Sequence, residues 1–151
     1  LATADEVLQE GSGAPLSQPR LLGLPLAVAM HQAWHTGFLQ RSADDEKRVV
    51  LAITEGSPAA MQTLLARLGA SQATDALHAL GFTETHFRRG ATLPGAPTSP
   101  APQDNVTTPR DLARMLLQIT EGKLVSPRAA AELQPLVADY NGRELAAAWQ
   151  G

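Results

Sequence analysis

The sequence predicts an all-α protein of six to eight packed helices, and three observations predict it. Ser57-Pro58, Thr108-Pro109 and Ser126-Pro127 each put a side-chain oxygen in front of a residue whose φ is already helical, a pairing that caps and starts helices. Gly37, Gly69, Gly81 and Gly122 close apolar runs of helical period, as suits residues that enter the left-handed backbone without a Cβ penalty. No stretch alternates apolar and polar residues convincingly, so no strand is predicted, and no internal repeat is visible.

Taken in order, residues 3–10 fit a short helix, with Thr3 as cap and Glu6 three positions on, the capping-box spacing. Gly11-Ser-Gly-Ala-Pro15 breaks it. A second helix runs from Pro19 or Leu24 to Thr36, with Leu26, Met30, Ala33 and Trp34 on one side. Asp44-Asp45-Glu46 place negative charge at the start of a third, where the helix dipole favours it, and Val49, Val50 and Ile53 follow. Ser57 caps the next helix, which carries Met61, Leu64, Leu65 and Leu68 at i, i+3, i+4 and i+7 and ends at Gly69. Another begins at Ser71, turns Ala73, Leu77 and Leu80 inward and stops at Gly81.

A short piece, Glu84–Arg89, precedes a loop from Gly90 to about Val106 that holds Pro94, Pro97, Pro100 and Pro102. A loop this long without periodicity is functional or mobile. Thr108-Pro109 opens the clearest helix, with Leu112, Met115, Leu116 and Ile119 on one face. Ser126-Pro127 opens the next, carrying Leu133, Leu136 and Val137, and Asn141 caps a last one through Trp149.

The 151 residues are enough for one domain with a real core, so 1–151 reads as a single helical domain with an N-terminal arm over 1–18. A net charge of -3 gives no electrostatic reason to expect nucleic acid, and Arg88-Arg89 is too small a basic pair to change that. No apolar run is long enough to span a membrane. The absence of cysteine excludes disulfides, thiolate zinc sites and a cysteine nucleophile, and no glycine-rich phosphate loop follows a strand. No cofactor is expected. The chain starts at Leu1 without a signal-peptide pattern, and reads as a mature, trimmed or excised piece.

Leu51-Ala-Ile-Thr-Glu-Gly-Ser-Pro-Ala-Ala-Met-Gln-Thr-Leu-Leu65, Leu80-Gly-Phe-Thr-Glu-Thr85, Thr107-Thr-Pro-Arg-Asp-Leu-Ala-Arg-Met-Leu-Leu117 and Glu121-Gly-Lys-Leu-Val-Ser126 resemble, in order and spacing, the helical lobe of class A β-lactamases and related penicillin-recognising serine hydrolases. Upstream, Leu24-Pro-Leu-Ala-Val-Ala-Met-His-Gln-Ala-Trp-His-Thr-Gly37 is similar to the helix behind that family's nucleophile. These stretches cover about two-thirds of the chain and are helix-packing patterns more than chemistry.

The resemblance implies acyl transfer on β-lactams or peptidoglycan-like peptides through a serine acyl-enzyme, and an exported protein. It also names the residues that chemistry needs. A serine and a lysine must stand one helical turn apart, Ser-x-x-Lys. On the register set by Pro25 those positions are Arg20 and Gly23, and sliding by three residues gives Ser17-Gln-Pro-Arg20, whose arginine stays protonated. The family's Ser-Asp-Asn turn falls on Glu55-Gly56-Ser57. Ser17, Arg20, Glu55 and Ser57 are therefore the candidate catalytic positions, against plain readings of Ser17 and Ser57 as helix caps and Glu55 as a solvated carboxylate. The loop 90–106 contains no glutamate to activate a deacylating water, and Arg89 and Asp104 are spaced like the ion pair that closes the family's loop. A Lys-Thr-Gly strand is expected after the last helix, and the chain reaches Gly151 without it.

His31 and His35 stand four apart, a spacing that can bind zinc, but Gln32 replaces the glutamate of a metalloprotease and no third ligand is evident, so a partly exposed helix face is expected. His78 and His86 read as isolated surface or edge residues, and the proline-rich stretch as a tether. Three functions follow: a degenerate family member or separated helical lobe with a binding or structural role, an active hydrolase completed by residues outside this chain, and a helical interaction module. The expected partners are a β-lactam or peptidoglycan-like ligand, or a sheet lobe or other protein.

Overall fold

A computed structural model of the chain describes residues 19–88 and 105–138. The expected helices at 3–10 and 141–149, Ser17, and the Arg89–Asp104 pair lie outside these residues. Six α-helices stand among the described residues: α1 Pro19–Thr36, α2 Ala43–Thr54, α3 Pro58–Leu68, α4 Ala70–Ala79, α5 Pro109–Thr120 and α6 Pro127–Leu133, which runs into a 3-10 turn at Gln134–Leu136.

α1 is the axis of the lobe. Leu21, Leu22, Leu24 and every residue from Leu26 to Met30 are buried, so it is covered on all sides rather than along the single stripe predicted for it. It packs against α2, α3, α4 and α5. Leu64 and Leu68 of α3, Leu77 of α4 and Leu112, Met115 and Ile119 of α5 meet it in one apolar cluster that also takes in Phe82 and Leu133.

The caps predicted at Ser57, Thr108 and Ser126 form. The side chains of Ser57, Thr108 and Ser126 accept from the backbone N–H three residues on, at 3.2, 3.1 and 3.0 Å, and Ser42 does the same for α2 at 3.1 Å. Gly81 (φ 97) and Gly122 (φ 73) close α4 and α5. Each is followed by an N–H bonded five residues back, Phe82 to Leu77 and Lys123 to Gln118, the Schellman pattern. α4 starts at Ala70 rather than Ser71, with Gly69 as an N-cap that offers no side-chain bond. Asp45 does more than complement the α2 dipole: it is fully buried and bonds Arg48 at 2.9 Å and Arg67 of α3 at 2.7 Å, tying the two helices together.

The expectation of no strand is corrected. His86–Phe87 (β1) and Asn105–Val106 (β2) pair antiparallel, with His86 opposite Val106. Two residues are too few to leave a period-two pattern, and the pair is made by tertiary bonds. The Thr74 hydroxyl accepts from the Phe87 N–H at 2.8 Å and donates to the Phe87 carbonyl at 2.9 Å, while the Arg88 N–H reaches the Asn105 side chain at 3.0 Å. Beneath them Asp111 accepts from the Thr85 hydroxyl at 2.7 Å and the Glu84 N–H at 3.0 Å. Burial pushes the Asp111 carboxyl above its ordinary range, and these bonds pull the other way. The network pins the two chain ends that flank 89–104.

Candidate functional site

Gly23 sets the geometry of the candidate site. A Cβ on it would lie 2.0 Å from the Ala52 carbonyl oxygen and 2.7 Å from the carbonyl carbon, so α1 and α2 cross backbone to backbone there. The two helices follow one another through a short turn and run antiparallel, an αα-hairpin. Arg20 lies one turn before Gly23, and Glu55 three residues after Ala52, so both come to the same end of the lobe.

The turn Glu55-Gly56-Ser57 is shaped by backbone needs. Gly56 is buried at φ 60, and the N–H groups of Glu55 and Ser57 both donate to the Leu51 carbonyl, at 3.0 and 3.3 Å. Ser57 is half-buried, its oxygen occupied by the Ala60 N–H. Its hydroxyl proton has no acceptor among the described residues. Glu55 is exposed and makes no side-chain bond among the described residues. As a cap, Ser57 contributes about 1 kcal/mol. Ser57→Ala is expected to lower stability by that amount in urea titration, with Ser57→Gly losing only a few tenths; equal stability of all three proteins would show that the cap bond contributes nothing.

Of the four candidate positions, the hairpin brings Arg20, Glu55 and Ser57 to one end, and Ser17 lies outside the described residues. The arrangement supplies a hydroxyl and a carboxylate with no hydrogen bond between them among the described residues.

The family model of the β-lactamase enzyme family matches residues 43–147, more than half of the chain. The chain belongs to that family. The crystal structure of a β-lactamase from Sphaerobacter thermophilus DSM 20745 is similar at a TM-score of 0.63 and 20% identity, covering 82% of this chain and 55% of that one. The chain thus spans little more than half the length of that β-lactamase, and the likeness shows the fold: the described residues have the helical-lobe architecture of the β-lactamase-like fold. No curated protein matches.

In this β-lactamase-family lobe the histidines are placed differently from expectation. His31 is buried, 5% exposed, with its ring edge against Trp34 at 4.9 Å, while His35 is exposed. A helix face that is exposed at one histidine is core at the other, because α1 is covered on all sides up to Met30. His78 and His86 are half-buried and touch ring to ring at 4.8 Å, so they are not isolated. Among the described residues no three His, Asp or Glu stand together as metal ligands, and no helix is long and apolar enough to cross a membrane.

Sequence reasoning missed a groove of about 330 Å³ at the other end of the hairpin, between α1, α2 and α6. Trp34, Val49, Val50 and Leu136 supply its apolar wall. Arg41 lies over the Trp34 ring, 4.5 Å from its centre, and pairs with Glu46 at 3.2 Å and with Glu132, which Arg128 also holds at 2.8 Å. Burial pushes the Glu132 carboxyl up, and the bonds from Arg41 and Arg128 outweigh it, so it titrates below its ordinary range. Burial depresses His31 to about 4, against the attraction of Glu132, so its imidazole is neutral near pH 7. These residues are far apart in sequence, and no local spacing announces them.

Proposed function

We propose that this chain is the helical lobe of a β-lactamase-like protein without acyl-transfer activity, retaining a binding or structural role toward a β-lactam or peptidoglycan-like ligand or toward a sheet lobe. What carries the reading is Gly23. In the register of the resemblance it holds the place of the catalytic lysine, and the Ala52 carbonyl leaves no room there for even a methyl group. Without an amine in that position no group takes the proton of a serine at position 20, which is an arginine in any case. The Glu55-Gly56-Ser57 turn supports the same reading: its serine caps α3 and its glutamate faces solvent. The proposal treats 1–151 as one helical domain with an arm over 1–18.

Intact-protein mass spectrometry after incubation with a fluorescent penicillin tests it. The expected result is an unmodified mass from a folded, helical sample. A stoichiometric adduct mapped to Ser17 or Ser57 would overturn the proposal, and would show that the catalytic register lies elsewhere in the chain.

A further inference from the structure

The groove sets two guanidiniums, those of Arg41 and Arg128, against two carboxylates, those of Glu46 and Glu132, and its hydrogen-bond donors outnumber the bonds those carboxylates accept. Two guanidiniums carry ten N–H donors between them, and the recorded bonds take three: Arg41 through Nε to Glu46 and through one terminal nitrogen to Glu132, and Arg128 through Nε to Glu132. Both Glu132 oxygens are thereby occupied. The Trp34 indole N–H is buried and has no partner among the described residues. Arg128 is 75% exposed at the mouth, its terminal nitrogens unbonded to described residues. Val50, 39% exposed, and the half-buried Leu136 give the groove its accessible apolar surface, while Val49 beside them belongs to the core. The volume lies at the lower end of the range small-molecule sites occupy, about 300–1,000 Å³.

We propose that this groove binds a small amphipathic carboxylate, its apolar body on Val50 and Leu136 and its anionic head on the free N–H groups of Arg128 and Arg41. Guanidinium forks match carboxylates in shape and charge, and one already stacked on an aromatic ring loses little freedom on binding. The buried imidazole of His31 adds no charge to the site near neutral pH. The site shares no residue with the Glu55–Ser57 turn, which begins five residues or about 7.5 Å along α2 from Val50, and does not depend on the function proposed above.

The chain has two tryptophans, so in a Trp149→Phe protein the Trp34 indole N–H is the single indole resonance. Titration with 4-phenylbutyrate is expected to move that resonance saturably, with a Kd of about 1 mM or tighter. Its methyl ester, which keeps the body and loses the charge, and acetate, which keeps the charge and loses the body, are each expected to bind at least about tenfold more weakly. Arg128→Gln and Val50→Asp change exposed side chains and should fold, as circular dichroism checks, and each should weaken 4-phenylbutyrate by about tenfold or more. No saturation up to about 20 mM, equal binding of the ester, or an unchanged Kd in both variants would each overturn the proposal.

Discussion

Replacing Gly23 by alanine is expected to destabilise the protein by about 3 kcal/mol or more, the upper end of overpacking costs. The added methyl group meets backbone rather than a side chain that can swing away, 2.0 Å from the Ala52 oxygen, so α1 and α2 must separate by about 1.5 Å to restore ordinary contact. Separation loosens the packing of Leu22, Leu26 and Ile53 along the whole hairpin. Alanine returns roughly 1 kcal/mol of helix propensity and does not offset this. Thermal unfolding followed at the helical dichroism band should show a midpoint lower by roughly 6–12 °C. A midpoint at or above that of the parent protein would mean that the helices do not cross this closely, and would remove the main support for a site without its lysine.

The second large effect is a loss of stability on mild acidification that belongs to His31. Its folded-state pKa is about 4, depressed first by burial, raised by Glu132 and lowered again by Arg41 and Arg128, against an ordinary value of 6.5. The unfolded chain therefore takes up the proton first as pH falls. The stability is fully present above about pH 6.5 and is lost progressively down to about pH 4. The difference in pKa corresponds to about 3 kcal/mol. His31→Phe keeps a ring against Trp34 and cannot titrate. Urea unfolding of both proteins between pH 7 and 4 should show the parent losing about 3 kcal/mol more than the variant. Parallel curves would show that His31 is not buried as a neutral imidazole. Subtracting the variant removes the contribution of the carboxylates to the extent that it is common to both proteins.

Both effects arise where the sequence carries no local signal. Nothing in Leu22-Gly-Leu24 marks Gly23 as a contact point, since an isolated glycine in a helical run reads only as a weak position. Its meaning comes from Ala52, twenty-nine residues away. His31 likewise looks like half of a histidine pair until α2 and α6 cover it with Glu46, Glu132 and Arg128.

The chain's local pattern determined the helices, because caps, stops and apolar period act within a few residues: Ser57, Thr108 and Ser126 cap the helices predicted for them, and Leu112, Met115, Leu116 and Ile119 face the core as their spacing required. The packing patterns of 51–126 were also enough to indicate the family. Tertiary structure alone decided which helix is central: α1, packed against four others. It also decided that a two-stranded pair closes at 86–87 and 105–106, that Asp45 becomes a buried tie between two helices, and that a donor-rich groove opens around Arg41 and Arg128. The physical reason is range. A hydrogen-bonded cap or a 3.6-residue stripe is encoded by neighbours, whereas burial and charge pairing depend on residues that only the folded chain brings together.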